Sequence, residues 1–416
     1  MMQKFTLNFR HPFSLALAAL LSNTALAAGS ADVGVILIQL FYLVLAAQVG
    51  SWLFAKLGLP RVVGQVVAGV VVGPSLLGVV NESLTLQALA EIGAIFLMFM
   101  VGLETRFKDL LNVGKEALLV AVLGIALPMI GGYFFGVQGG YTSIESLFIA
   151  TTLVATSVGI TAKVLQELGV LDRRFAQIIL GAAVIDDILG LTILAVVSGL
   201  SQGAELSVMG VLTTLGISIG FVVVVLAVGI PLLRKFQPRL KNLPLANSFG
   251  MAVVAGLGIA ALSSLAGLAP IIGAFLAGMV LAEVKDEEDF ESKVHALEDF
   301  LAPVFFAMVG VKLEIGLLAN STVLINGGIL SIIAVATKLL GGYLGALSQG
   351  KKDAWLVGMG MVPRGEVGLI VAGIGLSYGV INKVAFAEVI LMVLVTTLVA
   401  PIVLRLMVRP EKPAAT

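Results

Sequence analysis

The chain has 416 residues, 59% of them hydrophobic and only 12% charged, with a mean hydropathy of +1.10 and a formal charge of zero. A soluble domain carries about 25% charged residues, so this composition is that of a polytopic membrane protein, and the balanced charge gives no footing for a nucleic-acid partner. With no cysteine and two histidines, His11 and His295, the chain has no disulfides, thiolate metal sites or cysteine nucleophile, and no resident cofactor is expected.

In chain order, the first segment carries Lys4, Arg10 and His11, then the apolar Pro12 to Leu21, then Ala25-Leu26-Ala27. This is the three-part form of a secretory signal, with removal expected after Ala27; an uncleaved extra helix is the alternative. Spanning the bilayer takes about 20 apolar residues. Such windows fall at 33–57, 61–80, 87–104, 116–136, 145–167, 175–200, 206–233, 246–265, 270–283, 297–311, 322–346, 354–379 and 384–408. The expectation is an all-α protein of about 13 transmembrane helices over residues 28–410, followed by a short tail at 411–416.

Basic residues favour cytoplasmic loops. Alternate loops hold 19 Lys and Arg, from Lys56 and Arg61 through Arg234 and Lys235 to Arg405 and Lys412, against Lys312 and Lys383 on the other side. The mature N-terminus is therefore expected outside and the C-terminus inside. A cleaved signal would leave the same orientation.

The sequence also repeats. Pro60, Val63, Gly64, Ala68 and Gly69 recur as Pro270, Ile272, Gly273, Ala277 and Gly278, and Met100-Val101-Gly102 with Glu104 recur as Met308-Val309-Gly310 with Glu314. Ser157-Val158-Gly159-Ile160 aligns with Glu366-Val367-Gly368-Leu369, and all three blocks share an offset of 208 to 210. Repeat one covers about 60–200 and repeat two about 270–408, with linking helices at 206–265. The charge-derived topology runs the two copies in opposite directions, an inverted repeat of the kind that places ion sites near the midplane of secondary transporters.

Five ionisable side chains lie near the centres of their windows: Asp186, Asp187, Lys338, Arg364 and Glu366. A carboxylate at bilayer depth costs at least about 2.5 kcal/mol, so an adjacent pair is retained where it faces a polar cavity and carries function. Three negative and two positive charges leave one negative charge uncompensated, which suits one monovalent cation or one proton. Neighbours on a helix point about 100° apart, so Asp186 and Asp187 should differ in role, one pairing with Lys338 and the other meeting the ion. The same divergence excludes an intramembrane aspartyl protease, whose two acids must converge on one water. Thr156 and Ser157 beside Gly159, and Pro363-Arg364-Gly365-Glu366 at the equivalent place, predict two broken helices crossing beside the acids. The segment from Val284 to Asp299, with Glu287, Glu288, Asp289, Glu291 and His295, reads as a solvated connector or as a pH-sensing cluster.

Together, Leu59-Pro60-Arg61-Val62-Val63-Gly64 with Gly73-Pro74, Phe99-Met100-Val101-Gly102-Leu103-Glu104, Thr156-Ser157, Asp186-Asp187, Lys338 and Arg364-Gly365-Glu366 resemble the monovalent cation/proton antiporter superfamily. The similarity is greatest to bacterial Na+/H+ antiporters of the NapA type. The resemblance implies a NhaA/NapA-like fold with a core domain and a dimerisation domain, a homodimer, and an elevator-like movement of the core. It implies Asp187 as the main cation and proton carboxylate, Asp186 as the partner of Lys338, and Thr156 and Ser157 as polar neighbours, with Lys338, Arg364 and Glu366 compensating charge. Na+, Li+ or K+ would be the cation. An Asp-Asp pair with a lysine resembles the electrogenic branch, whereas Gln65 stands where relatives often carry Glu. K+/H+ exchange and sodium-coupled uptake of an organic anion are the rival transport readings. A bacterial inner membrane or a cyanobacterial thylakoid membrane is the expected location.

Overall fold

The computed structural model describes residues 33–202, 208–240, 248–283, 291–313, 315–316 and 320–408. The expected signal segment, the C-terminal tail, Glu287 to Asp289 and the repeat residue Glu314 lie outside the described residues. Every regular element described is helical. The first half comprises α1 (Val33–Lys56), α2 (Arg61–Val72), α3 (Leu84–Leu103), α4 (Phe107–Asn112), α5 (Gly114–Gln138), α6 (Ser143–Val154), α7 (Val158–Glu167) and α8 (Arg174–Ser201). The second comprises α9 (Val208–Leu240), α10 (Ser248–Leu265), α11 (Pro270–Ala282), α12 (Glu291–Val311), α13 (Ser321–Gly345), α14 (Lys351–Gly360), α15 (Glu366–Ser377) and α16 (Lys383–Met407).

Among the described residues, nine helical stretches are long and apolar enough to cross a membrane, with the α6–α7 pair counted as one. The other four expected spans correspond to shorter apolar helices: α2, α10, α11 and the α15 part of the α14–α15 pair. The segment from Val284 to Asp299 is in part a correction. Its second half is not a connector but the start of α12, so His295 and Asp299 are exposed on a helix and Glu298, between them, is fully buried.

The helices pack as two groups. In one, α2 and α3 lie against α11 and α12, with α1, α9 and α10 flanking them. In the other, α5 and α13 pack closely with α6, α8, α14, α15 and α16. Small residues set the first group's close approaches, because a glycine lets two backbones come nearer than any side chain permits. A Cβ at Gly69 would meet the Ala307 carbonyl, and one at Gly310 the Val66 carbonyl 2.0 Å away. Shifted by the repeat offset, the same contacts recur: Gly278 lies against the Phe99 carbonyl and Gly102 against the Phe275 carbonyl, each 2.2 Å from the position a Cβ would take. Two pairs of contacts that exchange partners between the repeats are what a pseudo-two-fold relation requires. The sequence repetition is therefore matched by repetition in the packing.

Candidate functional site

Both predicted helix breaks are present. After α6 the backbone leaves the helix at Ala155 (φ −57°, ψ 130°) and re-enters it after Ser157, while Met361 to Gly365 separate α14 from α15. Pro363 explains the second break, since it has no N–H to give and its ring clashes with the preceding turn. Several of the freed backbone groups are taken by partners brought from elsewhere, as burial demands. Ser157 N–H donates to the Pro363 carbonyl at 2.9 Å, joining the two breaks directly. Thr161 donates to the Gly360 carbonyl at 2.7 Å, and Thr397 donates to the Arg364 carbonyl.

Lys338, on α13, is fully buried. Its ammonium donates to the Val154 carbonyl at the first break (2.8 Å), to the Gly124 carbonyl on α5 (2.8 Å) and to both carboxylate oxygens of Asp186 (2.9 and 3.0 Å). Gly341 and Gly345 bring α13 so near α5 that a Cβ on either would lie within 2.7 Å of backbone atoms of α5, and this proximity lets Lys338 reach Gly124. Asp186 also accepts from Thr156 Oγ1 at 2.6 Å. Its carboxylate is thus held by an ammonium and a hydroxyl, an ion pair with its remaining lone pairs used, which is the condition for such a pair to be tolerated in a low-dielectric interior.

Asp187 differs. It is 7% exposed, and among the described residues no hydrogen bond or ion pair reaches its carboxylate. It borders two small cavities. One is lined by Met98, Val158, Ile272 and Phe275, where α3, α7 and α11 meet α8. The other is lined by Thr151, Ala155, Asp186 and Val367 beside the first break. Asp186 is committed to its lysine, and Asp187 faces the boundary between the two helix groups.

Arg364 sits close by but makes no ion pair with either acid. It is fully buried and donates to the carbonyls of Met361 (3.2 Å), Val362 (2.5 Å) and, from α13, Ala334 (3.4 Å), while its Nε has no partner among the described residues. Its guanidinium thus serves two carbonyls of the second break and one of α13. Glu366 begins α15, and its side chain lies outside the described residues. Ser157 presents its hydroxyl to the second break, 2.6 Å from where a Cβ of Gly365 would be. Gln65 is buried on α2, away from this cluster, with its Oε1 unpartnered among the described residues.

Sequence reasoning missed two buried acids. Glu388 on α16 is fully buried and accepts from Tyr141 Oη and Asn326 Nδ2, both at 2.9 Å. Glu298 on α12 pairs with Lys163 of α7. Each lies inside an apolar window, so a search of whole windows rather than their centres would have found them. His295, Glu298 and Asp299 also bring ligand-type atoms within 4.8 Å of one another.

Discontinuous helices that carry a buried acid pair and a buried lysine define a membrane carrier for a small cation, and the comparisons with known proteins agree. The chain belongs to the sodium/hydrogen exchanger transmembrane family, whose model matches residues 43–409; it is a secondary transporter and not an enzyme. It is 34% identical to the high-affinity Na+/H+ antiporter NhaS3 of Synechocystis, over 92% of this chain and 93% of that protein. It is 33% identical to the Na+/H+-K+ antiporter GerN of Bacillus cereus, over 88% of this chain and 95% of that protein. The solved structure of the sodium proton antiporter MjNhaP1 from Methanocaldococcus jannaschii at pH 8 shares its fold, with a TM-score of 0.64 at 19% identity over 89% of this chain and 96% of that one.

Proposed function

We propose that the protein exchanges Na+ or Li+ for protons, with Asp187 as the seat that the two cargoes occupy in turn. The observation that carries this reading is the contrast between neighbours: Asp186 has its charge matched by Lys338, whereas Asp187 has an unmatched carboxylate at the boundary between the helix groups. A group with a free lone pair and no fixed countercharge can take either a proton or a cation, but not both. Thr156 and Asp186 hold one wall of the site in place. The group containing α5–α8 and α13–α16 would move as an elevator against the group containing α1–α3 and α10–α12, in a homodimer with about 13 spans per protomer. The empty charged site would not cross, and retention of Lys338 makes the exchange electrogenic. The basic side faces the cytoplasm, in a bacterial inner membrane or a thylakoid membrane.

The test is exchange in proteoliposomes, read by a pH dye on addition of Na+, Li+ or K+ at several pH values. Competition for one seat predicts that apparent cation affinity falls as proton concentration rises, and the reverse by linkage. Asp187→Asn should reduce exchange at least about 100-fold; full activity in that variant would refute the assignment. K+/H+ exchange is the second reading, favoured by the similarity to a relative named as a Na+/H+-K+ antiporter. It is distinguished by the K+ arm of the same assay.

A further inference from the structure

The pseudo-two-fold relation between the repeats is obeyed by the backbone contacts and broken by charge. At the basic end of the bundle, α7 of one helix group meets α12 and α3 of the other through polar side chains. Lys163 pairs with the fully buried Glu298, and Gln166 Nε2 donates to Glu104 at 3.2 Å. Lys163 also donates to Gln166 at 3.0 Å, so the two links form one cluster. One turn on, the Arg61 N–H at the start of α2 donates to Glu167 at 3.1 Å. A recess of about 480 Å³, bordered by Lys163, Glu167, His295 and Arg405, opens beside the cluster.

The repeat offset carries Lys163 onto Ala372 and Glu298 onto Ala90. At that opposite end of the same boundary, α15 faces α3 and α12 across a small cavity lined by Ala90, Glu91, Lys312 and Leu369, and among the described residues around it no ion pair joins the two groups. Lys163 stands only five residues beyond Val158, which lines the Asp187 cavity, or about 7.5 Å along α7. The contact is thus close enough to the seat to govern access to it, and among the described residues it has no counterpart at the opposite face.

We propose that Lys163–Glu298, supported by Gln166–Glu104, is a one-sided clasp that closes the basic face of the Asp187 site and sets the ratio of the two access states. This inference rests on the alternating-access reading above. Two inverted repeats with identical contacts would favour both states equally, so a polar link present in one state alone shifts the balance toward that state. Glu298 has a reason to be buried that packing does not supply: its second oxygen has no partner among the described residues, so it depends on Lys163 for its countercharge. Opening the site on this face separates that pair.

The chain has no native cysteine, so a single Val158→Cys reports access to the seat. A membrane-impermeant maleimide would be applied to everted and to right-side-out vesicles. Lys163→Met, Glu298→Met and the double variant are expected to raise labelling from the basic face at least about tenfold relative to labelling from the other face. The charge-reversed pair Lys163→Glu with Glu298→Lys should return both rates toward those of the parent. Unchanged rates in all of these variants, or rates that rise or fall together on both faces, would overturn the clasp. The same vesicles carrying Asp187→Asn separate the two ideas, since persistent exchange there would refute the seat while the labelling ratio still reports on the clasp.

Discussion

Lys338 and Asp186 meet at 2.9 Å with both side chains shut off from solvent, α13 supplying the cation and α8 the anion. Breaking a buried pair by removing one partner costs about 3–5 kcal/mol, because the remaining charge is stranded, whereas removing both partners is often close to neutral. Lys338→Met should therefore lower thermal stability in detergent sharply, and Lys338→Met combined with Asp186→Asn should recover most of the loss. Unfolding curves that coincide for the single and double variants would show that the pair is not what holds Asp186.

Thr156 is the hydroxyl donor to the same carboxylate. A hydrogen bond to a charged group is worth about 1.5–3 kcal/mol, so Thr156→Val should leave Asp186 held by Lys338 alone, loosen its position and raise the apparent KM for the cation about tenfold. Thr156→Ser keeps the donor and should stay within about twofold of the parent. The comparison is made by cation titration of exchange at fixed pH; equal KM values for the Val and Ser variants would count against the hydroxyl.

Much of this was legible in the chain. Apolar windows, Pro363 and the offset glycines carry strong local signals, because bilayer length, proline chemistry and backbone approach each restrict what a residue can be. That one of the two acids would pair with Lys338 followed from the 100° divergence of neighbours on a helix and from the presence of a lysine in a distant window, whereas the choice of Asp186 came from the resemblance to the antiporter superfamily. The sequence did not distinguish a charge that compensates an acid from one that satisfies carbonyls. Arg364 was expected to compensate charge at the acids; its hydrogen bonds go to the carbonyls of Met361, Val362 and Ala334, nearer to hand at the break, while its charge still acts on Asp186 without a direct contact. The start of α12 was also hidden, since a run of acids reads as solvated until Lys163, 135 residues earlier, is known to stand opposite Glu298.

Tyr141 follows α5 and donates to Glu388. Burial, and then the adjacent Glu388 carboxylate, push its phenol above the ordinary value of 10.0. An acid whose folded-state pKa is raised contributes stability that is fully present below the unfolded value and is lost as pH rises through the folded one. Tyr141 should resist ionisation in an ultraviolet titration until well above pH 10, and Tyr141→Phe should remove that late step. Tyr141→Phe should also cost about 1–3 kcal/mol of stability below pH 10, by leaving a buried carboxylate oxygen without its donor. A titration curve that Tyr141→Phe leaves unchanged above pH 10 would remove the basis for this bond.

Gly365 lies where the two breaks cross closely. A Cβ there would lie 2.6 Å from Ser157 Oγ and 2.9 Å from Ser157 Cβ, closer than packed atoms tolerate. The side chain of serine can turn away, but its backbone N–H is tied to the Pro363 carbonyl, so the segment as a whole cannot retreat. Overpacking of this kind costs about 1–3 kcal/mol, and at this position the displacement falls on Thr156 and hence on the wall of the Asp187 site. Gly365→Ala should therefore impair exchange more than stability, lowering kcat at least about tenfold while the protein remains folded by size-exclusion chromatography. Removing the clashing hydroxyl with Ser157→Ala relieves the nearer contact, so the double variant should regain part of the lost rate. If Gly365→Ala exchanges cations at the parent rate, the close crossing of the two breaks does not constrain the site.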